Sequence, residues 1–371
     1  MKYVKELDGV RAIAVLLVII WHWTPQHLFP FSYNIGSLGV DVFFVLSGFL
    51  ITQILLLNRQ QSSHSLHTKG FFLKNFYARR FLRIVPIYLL TLALTALMSY
   101  WFSIEVTGGE ILAASTFTTN FYVSHVESWN LFTVHFWSVA VEEQFYLVWG
   151  LLLVLLPNRA ILPAILLFLF TGVISQVVYS QSVYNGYVLP QACFHALGFG
   201  GLLAWLLHQH PQQAKKVYPL VKAFGLLGCS FIILKASGYL HIGHMRTANV
   251  LVGGWLLLHL VIRRESPSFV KNVLGFKILV AIGKLSYGMY LYHLLYNYLA
   301  AKVWVRLAAF LPNNLLAYYH WLYLLVMLPP FIWLCRLSWK WIEQPILHQK
   351  RFYPYQQNPS VPAAEIVNGR V

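Results

Sequence analysis

Five ionisable residues stand inside apolar runs of this chain: His22, Asp41, Glu142, Glu143 and His293. Only eleven acidic residues occur in all 371 positions, so the three buried in apolar surroundings carry information. Groups of this kind are costly inside a bilayer and mark functional sites there. A second set is cationic. Arg11, Arg80, Arg83 and Lys284 each stand near the start of an apolar run. Arginine and lysine bind phosphate, arginine in bidentate fashion. Arg11 and His22 are eleven residues apart on one predicted helix, a rise of roughly 16 Å. That separation suits a long ligand with phosphates at one end and a reactive group at the other. Acyl-CoA has that shape: its diphosphate would sit on the arginines while the thin pantetheine arm runs between helices toward His22.

The elements that position these residues follow from composition. The chain is 58% hydrophobic and 16% aromatic, and only 10% charged. A soluble domain carries roughly 25% charged residues, so the bilayer is the solvent that fits. The expected fold is all-α and polytopic, with about ten transmembrane helices of about 20 residues each. They fall near 9–26, 37–57, 83–102, 138–156, 160–180, 190–208, 217–235, 247–262, 278–299 and 319–341. Trp21, His22 and Trp23 follow the first apolar run where a cleavage site would need small residues, so that run reads as a retained span. Segment 103–137 is ambiguous: a re-entrant or interfacial helix, or a further crossing. Residues 1–350 read as one membrane domain and 351–371 as a polar cytoplasmic tail.

The net charge of +16 follows from topology. With both termini cytoplasmic, the basic clusters at Lys2 and Lys5, Lys69 to Arg83, Arg159, Lys215 and Lys216, Arg263 to Lys277, and Lys350 and Arg351 all fall on one side. Lys235, Arg246, Lys302 and Arg306 are the exceptions. Nucleic-acid binding is set aside, because such modules gather their charge on one compact face. Cys193, Cys229 and Cys335 are scattered and form neither a CxxC pair nor a disulfide framework. The same topology puts His22, Asp41, Glu142, Glu143 and His293, from four helices, at one level in the outer half of the membrane, each about four to six residues from a helix end. Groups at matched depth can share a polar cavity.

Each residue also has a plainer explanation. Arg80 and Arg83 serve equally as topology signals. His22 and His293 fit the role of buried histidines satisfied by a neighbour. Asp41 fits a helix contact. Glu143 sits about 100° around the helix from Glu142, so the two need not face one cavity. Several costly groups at one level are harder to explain as packing.

The motifs themselves resemble the membrane-bound acyltransferase family 3, which includes O-antigen and exopolysaccharide O-acetyltransferases. Leu7-Asp8-Gly9-Val10-Arg11 resembles its opening, and Arg11 with His22 matches its arginine–histidine spacing. Gly39-Val40-Asp41-Val42-Phe43-Phe44 through Gly48-Phe49 resembles its second-span signature. Arg80-Phe81-Leu82-Arg83 matches its RxxR element, and Trp137-Ser138-Val139-Ala140-Val141-Glu142-Glu143-Gln144-Phe145-Tyr146 its tryptophan–glutamate element, with Val139 in place of the commoner leucine. Ser286 to His293 and Glu343-Gln344-Pro345 resemble its closing motifs; the glutamine replaces a common arginine. The likeness spans about residues 5 to 347, and the length resembles the stand-alone type without an added esterase-like domain.

The resemblance implies an acetyl-CoA donor from the cytoplasm, no metal, and an acceptor among envelope glycans or glycolipids in the bacterial inner membrane. It implies His22 as the catalytic histidine and Arg11, Arg80 and Arg83 as donor-site residues, to which Lys284 is added. Glu143, Ser138, Tyr146 and His293 are expected to bind substrate. In the expected mechanism His22 acts as general base on an acceptor hydroxyl, or briefly carries the acyl group. Glu142 or Asp41 orients the imidazole. The rival readings are a transporter or flippase, disfavoured by the lack of an inverted repeat, and an idle scaffold, which would not keep these costly groups. Membrane lipid is the remaining partner, and homo-oligomerisation is left open.

Overall fold

The computed structural model describes residues 3–29, 33–59, 66–182, 184–240, 245–264 and 266–355. Lys2 and most of the expected tail lie outside them. Among the described residues every regular element is helical.

Ten long helices match the ten apolar runs. They are α1 (Lys5–Trp23), α2 (Ile35–Arg59), α3 (Leu66–Phe102), α6 (Phe136–Leu155), α7 (Asn158–Val178), α9 (Pro190–Gln209), α10 (Pro211–Ala236), α11 (Arg246–Ile262), α13 (Lys277–Ala308) and α14 (Tyr319–Ser338). Eight helices, all but α1 and α11, are long and apolar enough to cross a bilayer. The exceptions have simple causes. Lys5, Glu6, Asp8 and Arg11 crowd the first turns of α1, and α11 has only 17 residues. Between the long helices lie α4 (Gly108–Ser115), α5 (Thr119–Val126), α8 (Asn185–Val188) and α12 (Phe269–Leu274), and α15 (Gln344–His348) follows the last of them.

Segment 103–137 therefore resolves into two helices of eight residues each. At about 12 Å apiece, neither crosses a hydrocarbon core of about 30 Å. A capping box, Thr107 with Glu110, starts α4. Both helices are pinned to the bundle. The Tyr88 hydroxyl on α3 donates to the Ala114 carbonyl at 2.8 Å. The Gln144 amide on α6 donates to the Phe117 carbonyl at 2.7 Å and to Asn120 at 2.9 Å.

Close helix approach is bought with missing side chains. On α2, Gly48 lies against the Leu197 backbone of α9, and Gly200 of α9 lies against the Val45 backbone of α2. Gly39 of α2 faces the Ala14 carbonyl of α1, and Gly283 of α13 faces the Asp8 carbonyl of α1. Small residues at such crossings let backbones nearly touch, which is how helices gain packing energy in lipid. So α1 is gripped between α2 and α13, and α2 between α1 and α9. By contrast α10 buries only Ala214, Gly225 and Gly228. Its Leu220, Leu226, Leu227 and Ile233 point outward, as lipid-facing residues do.

Helix α14 ends in a π-turn, Trp339–Glu343. Pro345 follows directly and has no N–H for the carbonyl four residues back. Residues 349–355 then fold back on α3. The Asn75 amide donates to the Pro354 carbonyl at 2.6 Å, and the Arg79 guanidinium lies 4.6 Å from the Tyr355 ring centre.

Candidate active site

Polar side chains form a column through the bundle, from the start of α1 to its end. At the first end, Arg11 bonds the Asp8 carboxylate at 3.0 Å. The Tyr3 hydroxyl donates to the other Asp8 oxygen; burial, and then that bond, push the Tyr3 hydroxyl's pKa up and keep it protonated. Arg83 lies within electrostatic reach of Arg11, Arg80 and Asp8. It lines a small cleft with Pro86, Ile87 and Glu343, the last held in place by the π-turn. Arg80 sits over the ring of Tyr146 at 6.0 Å, and its Nε is buried with no hydrogen-bond partner. Three guanidiniums thus come together from α1 and α3, and of the three only Arg11 is bonded directly to a carboxylate, Asp8. Clustered guanidiniums of this kind can hold an anion such as a diphosphate. Lys284 is exposed on α13.

The middle of the column is built on α6. Ser138, Glu142 and Tyr146 recur every four residues and therefore stack on one face. Glu142 accepts from the Ser47 hydroxyl of α2 at 2.7 Å and from the Tyr146 hydroxyl at 3.1 Å. It lies within electrostatic reach of Arg11 and Arg83. Glu143 points elsewhere, as its place on the helix requires: Oε1 is buried without a partner, in reach of Arg80.

At the far end three imidazoles converge. The ring centres of His22 and His293 are 5.0 Å apart, and those of His293 and His135 are 5.4 Å apart. The Ser138 and Tyr290 hydroxyls are 2.6 Å apart and each lies 3.2 Å from the His135 carbonyl; with one hydrogen apiece, one donates to the other and only one donates to the carbonyl. Trp23 donates to the His293 carbonyl at 3.0 Å, tying α1 to α13 beside the cluster. His22 Nδ1 is 2.8 Å from the Val18 carbonyl, and His293 Nδ1 is 2.6 Å from the Tyr290 carbonyl. A carbonyl only accepts, so in each ring Nδ1 carries the hydrogen. In a neutral imidazole the lone pair then lies on Nε2.

The structure thus brings together His22, His293 and Ser138, joins Glu142 to Tyr146, and gathers Arg11, Arg80 and Arg83. Neither carboxylate expected beside His22 bonds it; the Val18 carbonyl fixes the ring instead. Asp41 is fully buried and engaged elsewhere. One oxygen accepts from Arg246 Nε at 2.7 Å, the other from the Asn249 amide at 2.8 Å. Arg246, an exception to the charge rule in sequence, is thereby explained as the counter-charge of Asp41.

Several residues of the column had no role in the sequence reading, His135 and Glu343 among them. His135 precedes α6 in a polar connection; the signal was its place three residues before Ser138. Glu343 was part of a quoted motif with no task attached. Among the described residues no group of three or more His, Cys, Asp or Glu has the arrangement of a metal site.

A family model described as an acyltransferase domain matches residues 4–341. The peptidoglycan O-acetyltransferase OatA of Listeria monocytogenes serovar 1/2a is 31% identical over 93% of this chain and 56% of its own length. A putative O-acetyltransferase of Staphylococcus aureus strain COL is 30% identical over 79% of this chain and 50% of its own. The O-acetyltransferase OatA of Staphylococcus aureus strain NCTC 8325 / PS 47 is 28% identical over the same shares. The chain therefore spans about half the length of these curated relatives. No solved structure matches it significantly. With the three arginines and three histidines of the column all inside the matched region, the chain belongs to the membrane-bound acyltransferase family 3.

Proposed function

We propose that this protein is a membrane O-acetyltransferase that takes an acetyl group from acetyl-CoA at the arginine end of the column and delivers it to a hydroxyl of an envelope glycan at the histidine end. The observation that carries the proposal is the shared helix of Arg11 and His22, eleven residues apart, with polar groups filling the roughly 16 Å between them. In this proposal the arginine end faces the cytoplasm, where acetyl-CoA is made, and the membrane is the bacterial inner membrane. Glycan chains are expected as the acceptor class, and the name of the Listeria relative makes peptidoglycan the first acceptor to test.

The chemistry assigned to the residues is as follows. Arg11, Arg80 and Arg83 hold the donor's phosphates, with Lys284 at the rim. Ser138, Tyr146 and His293 line the route of the reacting ends, and Glu143, turned toward Arg80, borders the donor's phosphate end. Nε2 of neutral His22 takes the proton of the acceptor hydroxyl as its oxygen attacks the thioester carbonyl. The carbon–sulfur bond then breaks, and the same proton passes to the leaving thiolate, giving CoA and the ester. Glu142 keeps the positive arginine cluster in register with the base through Ser47 and Tyr146. Asp41 acts through Arg246 by fixing α2 to α11.

The test uses purified protein in lipid vesicles with acetyl-CoA and soluble peptidoglycan fragments. Free CoA thiol should appear only when acceptor is present, and the fragments should gain acetyl mass. Movement of fragments across the vesicle without thiol release would instead mark a carrier.

A further inference from the structure

The histidine cluster contains one ring whose hydrogen is not yet committed. His22 and His293 each spend their N–H on a carbonyl of their own helix, Val18 and Tyr290. In the neutral state both therefore present only a lone pair to the space between them. His135 differs. The residue is 3% exposed, and neither Nδ1 nor Nε2 reaches hydrogen-bond geometry with any partner, the Leu291 backbone being the nearest group in range. A buried imidazole left unpaired in this way is costly, since its polar atoms have given up water for nothing. The surroundings hold it there all the same. Its carbonyl accepts from the hydrogen-bonded pair Ser138 and Tyr290, and its ring lies 4.2 Å from the Phe136 ring, centre to centre. It remains 5.4 Å from His293 and within electrostatic reach of His22.

Resting on the acyl-transfer reading above, we propose that His135 is a catalytic residue of this site, the hydrogen-bond donor to the carbonyl oxygen of the acyl group in transfer. Attack by the acceptor oxygen forms a carbon–oxygen bond and pushes the carbonyl electron pair onto oxygen. The His135 N–H binds that oxyanion. The pair returns as the carbon–sulfur bond breaks, and sulfur takes the proton held by His22. Of the three imidazoles, His135 alone can donate here without first gaining a proton. A positioned donor of this kind acts on the transition state more than on bound substrate.

The experiment compares wild type with His135→Leu and His135→Gln, two variants of similar bulk, in vesicles with acetyl-CoA and soluble peptidoglycan fragments. His135→Leu should lower kcat about 10²-fold to 10³-fold, the range for losing one oxyanion donor, with KM for acetyl-CoA within about twofold. His135→Gln keeps an N–H and should recover at least tenfold of that loss. Thermal melting checks that both variants fold. Equal losses in both folded variants, or a raised KM with unchanged kcat, would overturn the assignment in favour of a structural ring. Full activity in His135→Leu would overturn it outright while leaving the enzyme reading intact. Wild type that consumes no acetyl-CoA would overturn the enzyme reading itself, and this assignment with it.

Discussion

The rings of His22 and His293 lie 5.0 Å apart and are tilted by 58°. They come from α1 and α13, 271 positions apart in sequence. Each turns its N–H back to its own helix, so two basic nitrogens are left for one small space. Two such rings so close do not both take up a second proton, because the like charges would repel. One imidazole can therefore gain charge during the reaction only while the other stays neutral.

The first expectation concerns His22. His22→Ala should reduce acetyl transfer about 10²-fold to 10⁴-fold, the usual worth of a positioned general base. Acetyl-CoA binding, read by isothermal titration, should hardly change. Normal transfer by the variant would remove His22 from the chemistry.

A second expectation separates the arginines. Arg80→Ala with Arg83→Ala should raise KM for acetyl-CoA by roughly tenfold or more, since a hydrogen bond to a charged group is worth about 1.5–3 kcal/mol. Titration of the folded double variant with CoA checks this. Unchanged affinity would leave those arginines as topology signals.

Asp41 and Arg246 make a stability prediction. Removing one partner of a buried ion pair costs about 3–5 kcal/mol, because the other charge is stranded. Asp41→Ala and Arg246→Ala should each lower the melting temperature sharply. Asp41→Leu with Arg246→Met should cost less than the two single changes summed. Additive losses would mean that the two residues are independent.

Helix contact can be tested at two glycines. Gly200→Val places a side chain on the Val45 backbone and should destabilise by about 1–3 kcal/mol through overpacking. A Cβ on Gly108 would meet open space, so Gly108→Ala should stay within about 0.5 kcal/mol. Thermal melts in one detergent compare them; equal shifts would contradict the packing described.

Much of the frame was legible in sequence because lipid imposes it. A crossing helix must be long and apolar, so the ten runs predicted the ten long helices, most with edges off by a few residues; the first 17 residues of α3, the first six of α10 and the last nine of α13 were missed. Matched depth predicted that His22 and His293 meet. What depth could not give was pairing. Asp41 and Arg246 are 205 residues apart, and only the packing of α2 on α11 joins them. Depth also says nothing of azimuth, which turned Asp41 away from His22. His135 was invisible for another reason: it stands in a polar connection, where a histidine looks ordinary until α6 starts beside it.

The most direct measurement of the central claim uses sealed vesicles with acetyl-CoA carrying a labelled acetyl group only outside and soluble peptidoglycan fragments only inside. Reconstitution leaves some molecules with their arginine ends outward. The account predicts that label accumulates on the enclosed fragments while CoA stays outside, and that His22→Ala vesicles show neither. Label reaching fragments only when donor and acceptor share one compartment would contradict it.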